Sequence, residues 1–305
     1  MATVTGGKLA ADALIEKKIE YVFTLSGGHI TPIYQYLENS PVKLFDTRHE
    51  QAAVFMAEAW GRLTRKPGIA MVTAGPGFTN ALSAIANANM ANSPLVLISG
   101  CVGVECIEKL DLQDMRQLPV IEPMVKKALV CHKTNRIPEF IDLAYRTAIS
   151  GRPGPVYLEL PVDVLNASID ESQVKKTNSI VESRPADSAN AAEVIEMILS
   201  SKNPIVIAGS GAWYSDAGKE LVEFVEKTGI PAFTSALGRG TIPDTHPLCF
   251  ESSLAIRPGA ALFANFSTDL VIFLGSRISL YYIFGDLFPK ESKIVQVDIK
   301  PEEIG

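Results

Sequence analysis

The chain lacks most of what would mark a membrane, secreted or nucleic-acid-binding protein. No apolar stretch reaches the roughly 20 residues of a membrane span, and the run from Leu95 to Gly103 is broken by Ser99 and Gly100. The N-terminus, Met1-Ala2-Thr3-Val4-Thr5, has neither the basic nor the apolar region of a signal peptide. There is no basic run, and 28 Lys and Arg against 34 Asp and Glu leave a net charge of −6, which argues against a nucleic-acid surface. Only four cysteines occur, Cys101, Cys106, Cys131 and Cys249. None pairs at zinc-ligand spacing with a histidine nearby, so free buried thiols of a cytosolic protein are expected. No activated Ser, Cys or Lys motif and no metal-ligand cluster is visible, so no metal site is expected on this chain. These exclusions leave a cytoplasmic enzyme, or part of one, with a small-molecule substrate and neither nucleic acid nor membrane as partner.

What is present is a large core. The 305 residues are 47% hydrophobic and 20% charged, enough for about two globular domains. Short apolar runs of strand type alternate with helical periodicity: Tyr21 to Leu25, Val42 to Phe45, Ile69 to Thr73, Leu95 to Ser99, Lys126 to Cys131 and Val156 to Leu160. That alternation predicts an α/β domain over 1–165, doubly wound around a mainly parallel sheet. Residues 166–188 are polar and without sustained period, and read as a linker. A second alternating unit, 189–305, reads as a Rossmann-like domain that needs at least one more strand and helix to close.

Chemistry is expected at the carboxyl ends of strands, where ligands bind in open α/β sheets. Three breaks fall there: Ser26-Gly27-Gly28-His29, Asp46 to Glu50, and Ala74-Gly75-Pro76-Gly77. Val42, Leu44 and Phe45 look like a buried strand, and a helix with Ala52, Ala53, Phe55, Met56, Ala59 and Trp60 follows, which puts Glu50 in its first turn. Taken alone, Glu50 reads as an acid favoured by the helix dipole. Beside it, His29 becomes an acid–base candidate, and His49 a residue that orients its neighbour. Gly75-Pro76-Gly77 lets a flat ligand approach the backbone, or binds an anion, or is a tight turn only. In the second unit, Gly209-Ser210-Gly211 lacks the third glycine of a dinucleotide fingerprint, since position 214 is Tyr214, so no nicotinamide site is expected.

In order along the chain stand Asp46-Thr47-Arg48-His49-Glu50-Gln51-Ala52-Ala53, Lys66-Pro67-Gly68-Ile69, Thr73-Ala74-Gly75-Pro76-Gly77-Phe78-Thr79-Asn80, Asn92-Ser93-Pro94-Leu95 and Ser150 to Pro161. With these segments the chain resembles the amino-terminal and central parts of thiamine-diphosphate-dependent enzymes of the acetolactate synthase and pyruvate oxidase type. Gly28-His29-Ile30, Glu50 and Leu112-Gln113 resemble benzaldehyde lyase and acetolactate synthase-like lyases. In the second unit Gly209 to Tyr214, Pro243 to Leu248, Gly275-Ser276-Arg277-Ile278 and Gln296 to Ile299 resemble oxalyl-CoA decarboxylase and 2-hydroxyacyl-CoA lyase.

The resemblance implies that Glu50 bonds N1′ of the cofactor's aminopyrimidine ring, that His29 and Gln113 manage protons and hydrogen bonds at the substrate oxygen, and that the cofactor serves as electron sink. Thr73, Gly75, Pro76, Gly77, Phe78 and Asn80 are placed with Glu50 at the cofactor, Gly75 to Phe78 packing on the ring. Ile278-Ser279-Leu280 stands where the flavin-binding branch has Phe-Asp-Asp, so FAD is not expected; an ADP or coenzyme A moiety, or nothing, is expected on the central domain. The family's Gly-Asp-Gly motif for diphosphate and Mg²⁺ is absent, Gly285-Asp286-Leu287 lacking its second glycine. The chain is therefore expected to supply the pyrimidine side only. A carboxyl-terminal diphosphate-binding domain or separate subunit would complete a homodimer or tetramer.

Overall fold

The computed structural model of the protein describes residues 2–175, 188–250, 264 and 266–304. Two compact units divide the chain, Met1–Glu182 and Ser183–Gly305. In the first, β1 (Thr3–Thr5) leads into α1 (Gly6–Glu16), whose open first turn is capped by Thr5: its hydroxyl accepts from the Lys8 N–H at 3.3 Å. Then follow β2 (Tyr21–Thr24), α2 (Thr31–Leu37), β3 (Lys43–Asp46), α3 (Glu50–Thr64), β4 (Gly68–Val72), α4 (Pro76–Ala91) and β5 (Leu95–Cys101). After a long loop come α5 (Leu118–Ile121), β6 (Lys127–Val130), α6 (Ile137–Ile149), β7 (Pro155–Pro161), α7 (Val162–Asn166) and β8 (Ser168–Asp170).

Six of these strands form one sheet in the order β3-β2-β4-β5-β7-β6, every neighbouring pair parallel. Helices cover both faces. Ala53, Val54 and Ala57 of α3 and Phe78 and Ala81 of α4 close one core, while Leu9, Leu14, Ile33, Leu37 and Ile141 close the other. Strands β4 and β5 are buried at every residue, which is why β4 and the Leu95 to Ile98 stretch of β5 read as continuous apolar runs. Each fully buried leucine or isoleucine there contributes about 1.5–3 kcal/mol. The chain runs from β2 outward to β3 and then returns to the other side of β2 as β4. The winding therefore reverses between β2 and β4, and the loops beyond those strand ends face one another.

Three expectations need correction. The Val42 to Phe45 run is an edge strand rather than a buried one: only Val42 is buried, and Phe45 is 44% exposed, resting against the rings of Tyr21 and Phe23. An edge strand has one neighbour, so half of its cover is missing. Helix α3 exists, but it buries Glu50, Ala53, Val54, Ala57, Glu58 and Gly61 and leaves Phe55 and Met56 exposed. Two acids thus lie on the packed face and two large apolar side chains lie off it. The expected linker at 166–188 begins too early, because β8 pairs antiparallel with β1, Val4 opposite Ile169, and belongs to the first unit. Residues 176–187 of that linker lie outside the described residues.

The second unit holds α8 (Ser188–Ser200), β9 (Pro204–Ala208), α9 (Ser210–Tyr214), α10 (Gly218–Thr228), β10 (Ala232–Thr234), β11 (Cys249–Phe250), β12 (Leu270–Leu274) and β13 (Lys293–Val297). Its five strands, ordered β11-β10-β9-β12-β13, are also all parallel. The Gly209-Ser210-Gly211 turn meets Gly275 at the reversal between β9 and β12. There the Gly209 N–H donates to the Leu274 carbonyl at 2.8 Å and the Gly211 N–H to the Gly275 carbonyl at 3.0 Å. An added Cβ on Gly211 would stand 2.6 Å from Gly275 Cα, so backbone crossing backbone accounts for these glycines. Among the described residues no helix is long and apolar enough to cross a membrane.

Candidate active site

The reversal between β2 and β4 gathers the residues singled out from sequence. Beyond β2 the chain turns through Gly27 and Gly28 to His29, which is buried. Its Nδ1 lies 3.1 Å from the hydroxyl of Thr73, at the end of β4. His29 also packs directly on the end of β5, since a Cβ added to Gly100 would stand 2.4 Å from its own Cβ. Burial lowers the His29 pKa below the ordinary 6.5, against the opposing pull of the Leu112 backbone and the Asp111 carboxylate. The imidazole is therefore neutral at pH 7, able to accept at one nitrogen and donate at the other.

Glu50 opens α3 beyond β3 and is 7% exposed. The preceding His49 caps that helix, its Nδ1 accepting from the Gln51 N–H at 3.2 Å, which leaves the Glu50 side chain free of capping duty. One carboxylate oxygen, Oε2, accepts from Asn80 Nδ2 of α4 at 3.0 Å. The other, Oε1, has no hydrogen bond among the described residues. It faces Gly77, where an added Cβ would stand 3.3 Å from Oε1 and 2.7 Å from Thr73 Cγ2. Thr73 thus links the two acid–base groups: its hydroxyl meets His29 and its methyl shares the Gly77 surface with Glu50.

The Gly75-Pro76-Gly77 turn has spent its donors. Gly75 N–H is bound at 2.9 Å by Gln117 Oε1, Gly77 N–H reaches the Ala74 carbonyl at 3.3 Å, and proline has none. An anion would find little to bind, whereas a flat ring finds bare backbone. Gly75 itself sits at φ 60°, ψ −113°, a conformation that only glycine enters readily. Gln113 packs on it, its Cβ 2.9 Å from where a Gly75 Cβ would be, and its carboxamide makes no hydrogen bond among the described residues. Phe78 departs from expectation. Its ring is fully buried, edge-on to Tyr157 at 5.5 Å between centroids, so it forms the floor of the turn and cannot face a ligand.

One residue escaped the sequence reading entirely. Gln117, 1% exposed, binds the Gly75 N–H and sends its Nε2 toward the Gly100 carbonyl, Tyr157 Oη and Glu159 Oε2 at 3.1, 3.0 and 3.0 Å. Nothing in the Arg116-Gln117-Leu118-Pro119 run marks it, because its partners lie far off in sequence, on β5, on β7 and in the Gly75 turn. Cys101, at the end of β5 beside Glu159, stays a thiol, its pKa pushed up by burial and by the neighbouring carboxylate. Among the described residues no group of three or more His, Cys, Asp or Glu side chains could hold a metal ion.

The comparisons with known proteins agree with this layout. Residues 4–120 match the thiamine pyrophosphate enzyme N-terminal TPP binding domain, and residues 191–305 match the thiamine pyrophosphate enzyme central domain. The chain is 34% identical to a probable acetolactate synthase large subunit of Methanococcus aeolicus, over 99% of this chain and 51% of that protein. It is 31% identical to oxalyl-CoA decarboxylase of Escherichia coli (98% and 53%) and 32% identical to human 2-hydroxyacyl-CoA lyase 1 (99% and 52%). The chain thus spans about half the length of the curated relatives it matches. With both matched domains in order and the site at the sheet reversal of the first, this chain belongs to the thiamine pyrophosphate enzyme family.

Proposed function

We propose that the first unit is the pyrimidine-binding half of the active site of a thiamine-diphosphate-dependent carbon–carbon lyase or ligase. The observation that carries the reading is Glu50 Oε1: a buried carboxylate oxygen with no protein donor among the described residues, beside a glycine whose missing side chain leaves room for a ring. Buried polar atoms are nearly always partnered, and a vacant one at a sheet reversal fits a ligand donor. The residues fit the cofactor's aminopyrimidine on that ground. When bound, thiamine diphosphate supplies an electron sink for the electrons of the carbon–carbon bond.

The chain's own residues divide the remaining work. Glu50 Oε1 shares a proton with a ring nitrogen while Asn80 holds Oε2 in place. Gly75 and Gly77 give the ring a flat backbone surface without competing donors. His29, held neutral by burial and oriented by Thr73, exchanges a proton at the substrate oxygen, and the carboxamide of Gln113 hydrogen-bonds there. The diphosphate and Mg²⁺ are assigned to a further domain or subunit, in a dimer or tetramer. The exposed Phe55 and Met56 on α3, the helix that begins with Glu50, support a covering partner.

For substrate we favour 2-hydroxyacyl-CoA thioesters, cleaved to an aldehyde or ketone and formyl-CoA. The motifs of the second unit support this over condensation of 2-keto acids, and an adenine-bearing moiety would then sit on that unit. In the complete enzyme, Glu50→Gln is expected to lower turnover by about a hundredfold or more. Assays for formyl-CoA release and for acetolactate formation separate the two substrate classes. Near-normal turnover of the variant would remove Glu50 from the mechanism.

A further inference from the structure

The floor beneath the Gly75 turn contains a buried polar network that the proposed mechanism does not use. A carboxamide has one accepting and one donating end, and the surroundings of Gln117 distinguish them. Its Nε2 faces three acceptors: the Gly100 carbonyl, the hydroxyl of Tyr157, and Glu159 Oε2. Tyr157 spends its own proton on Glu159, donating to Oε2 at 2.7 Å, and so offers Gln117 a lone pair. Reversing the carboxamide would set oxygen against a carboxylate and a carbonyl, and NH₂ against the Gly75 N–H. The orientation of Gln117 is therefore dictated by Glu159, at the end of β7, and transmitted to the peptide between Ala74 and Gly75.

That peptide needs holding. Gly75 is in a sparsely populated conformation, Gln113 packs on it, and Gly77 two residues later carries the surface beside Glu50. We propose that Gln117 is the positioning residue of this half-site, oriented by Glu159: it holds the Gly75 peptide so that the turn stays flat and Gln113 and Gly77 keep their places. The proposal rests on the reading that the Gly77 surface receives the cofactor's ring.

Gln117→Glu tests it, because the side chain keeps its shape and its acceptor for Gly75 but sets a second carboxylate against Glu159. In the 305-residue chain, amide exchange across Thr73 to Asn80 should quicken. Calorimetric binding of thiamine diphosphate with Mg²⁺ to the complete enzyme should weaken by about tenfold, the scale of one lost buried hydrogen bond. Adding Glu159→Gln restores a donor opposite the carboxylate introduced at position 117, so the double variant should return both readings to within about threefold of the parent. A residue of merely structural role would lower thermal stability in each variant without reciprocal rescue of affinity. Parent-like exchange in Gln117→Glu, or a double variant no better than the single, overturns the proposal. If the single variant fails to fold, the exchange of the double variant decides alone. Glu50→Gln in the same series judges the cofactor reading separately: unchanged binding there removes that reading, while exchange and its rescue still judge Gln117.

Discussion

Helix α3 carries two buried glutamates toward α4, and their surroundings differ in a way that separates structure from chemistry. Glu58 has both oxygens occupied: Asn87 Nδ2 donates to the two at 3.0 and 2.8 Å, and the Ser93 hydroxyl donates to Oε1 at 3.0 Å. Glu50, two turns earlier, meets an asparagine of α4 in the same manner, but only through Oε2. Both are nearly excluded from solvent, at 3% and 7% exposure. A buried carboxylate with both oxygens engaged ties two helices together; one with a vacant oxygen is ready for a donor from outside.

The comparison predicts opposite responses. The largest effect is the loss of turnover on Glu50→Gln in the complete enzyme, and it should come with little change in the melting temperature of the chain, because one of its oxygens has no partner to lose among the described residues. Glu58→Ala should do the reverse. It strands the donors of Asn87 and Ser93 in a dry contact and should cost about 3 kcal/mol in urea unfolding, the range for broken buried networks. An equal stability loss at both positions would dissolve the distinction between them.

Smaller changes sharpen it. Gly77→Ala puts a methyl 2.7 Å from Thr73 Cγ2 and 3.3 Å from Glu50 Oε1, filling the space assigned to the ring. Cofactor affinity should fall by about tenfold, with a stability cost of about 1 kcal/mol from overpacking. Affinity that falls no more than stability does would mean the space is not a ligand's. The smallest effect belongs to His29. Its folded pKa lies below 6.5 whereas the unfolded chain titrates near 6.5. Its contribution to stability is therefore fully present above pH 6.5 and is lost as pH falls toward and through the folded value, where the unfolded chain takes up a proton that the folded chain refuses. His29→Gln should flatten that part of the stability profile, and an NMR titration of the imidazole should show a midpoint below 6.5. A midpoint above 6.5 would mean that the Leu112 backbone and the Asp111 carboxylate together outweigh burial.

The second unit offers a contrast of its own. Both units have a glycine turn at the carboxyl edge where the strand order reverses. In the first, glycine makes room beside a vacant oxygen; in the second, Gly209, Gly211 and Gly275 cross each other and consume their own hydrogen bonds. Sequence spacing alone could not tell these apart, because glycine serves close approach to a ligand and to another backbone equally well.

Much of the fold was legible because it is local. The short apolar runs placed all six strands of the first unit's parallel sheet. The 168–170 strand was missed because its reason is a distant partner at 3–5, not its own pattern. Helix α3 was recognised, but its buried face was not. Phe55 and Met56 suggested one side, while the packing against β2, β4 and α4 selected the side with Ala53, Ala57 and the two acids.

The sequence by itself determined the α/β alternation, the address of Glu50 at a strand end and helix start, and the set of motifs that gives the family, since all of these are written in neighbouring residues. Only the tertiary structure decided which of two buried glutamates has a vacant oxygen, that Phe78 is floor rather than ligand surface, and that Gln117 binds the turn. Each of those depends on groups brought from separate helices, strands and turns, and which buried atoms find partners is a property of the assembled site that no single stretch of chain contains.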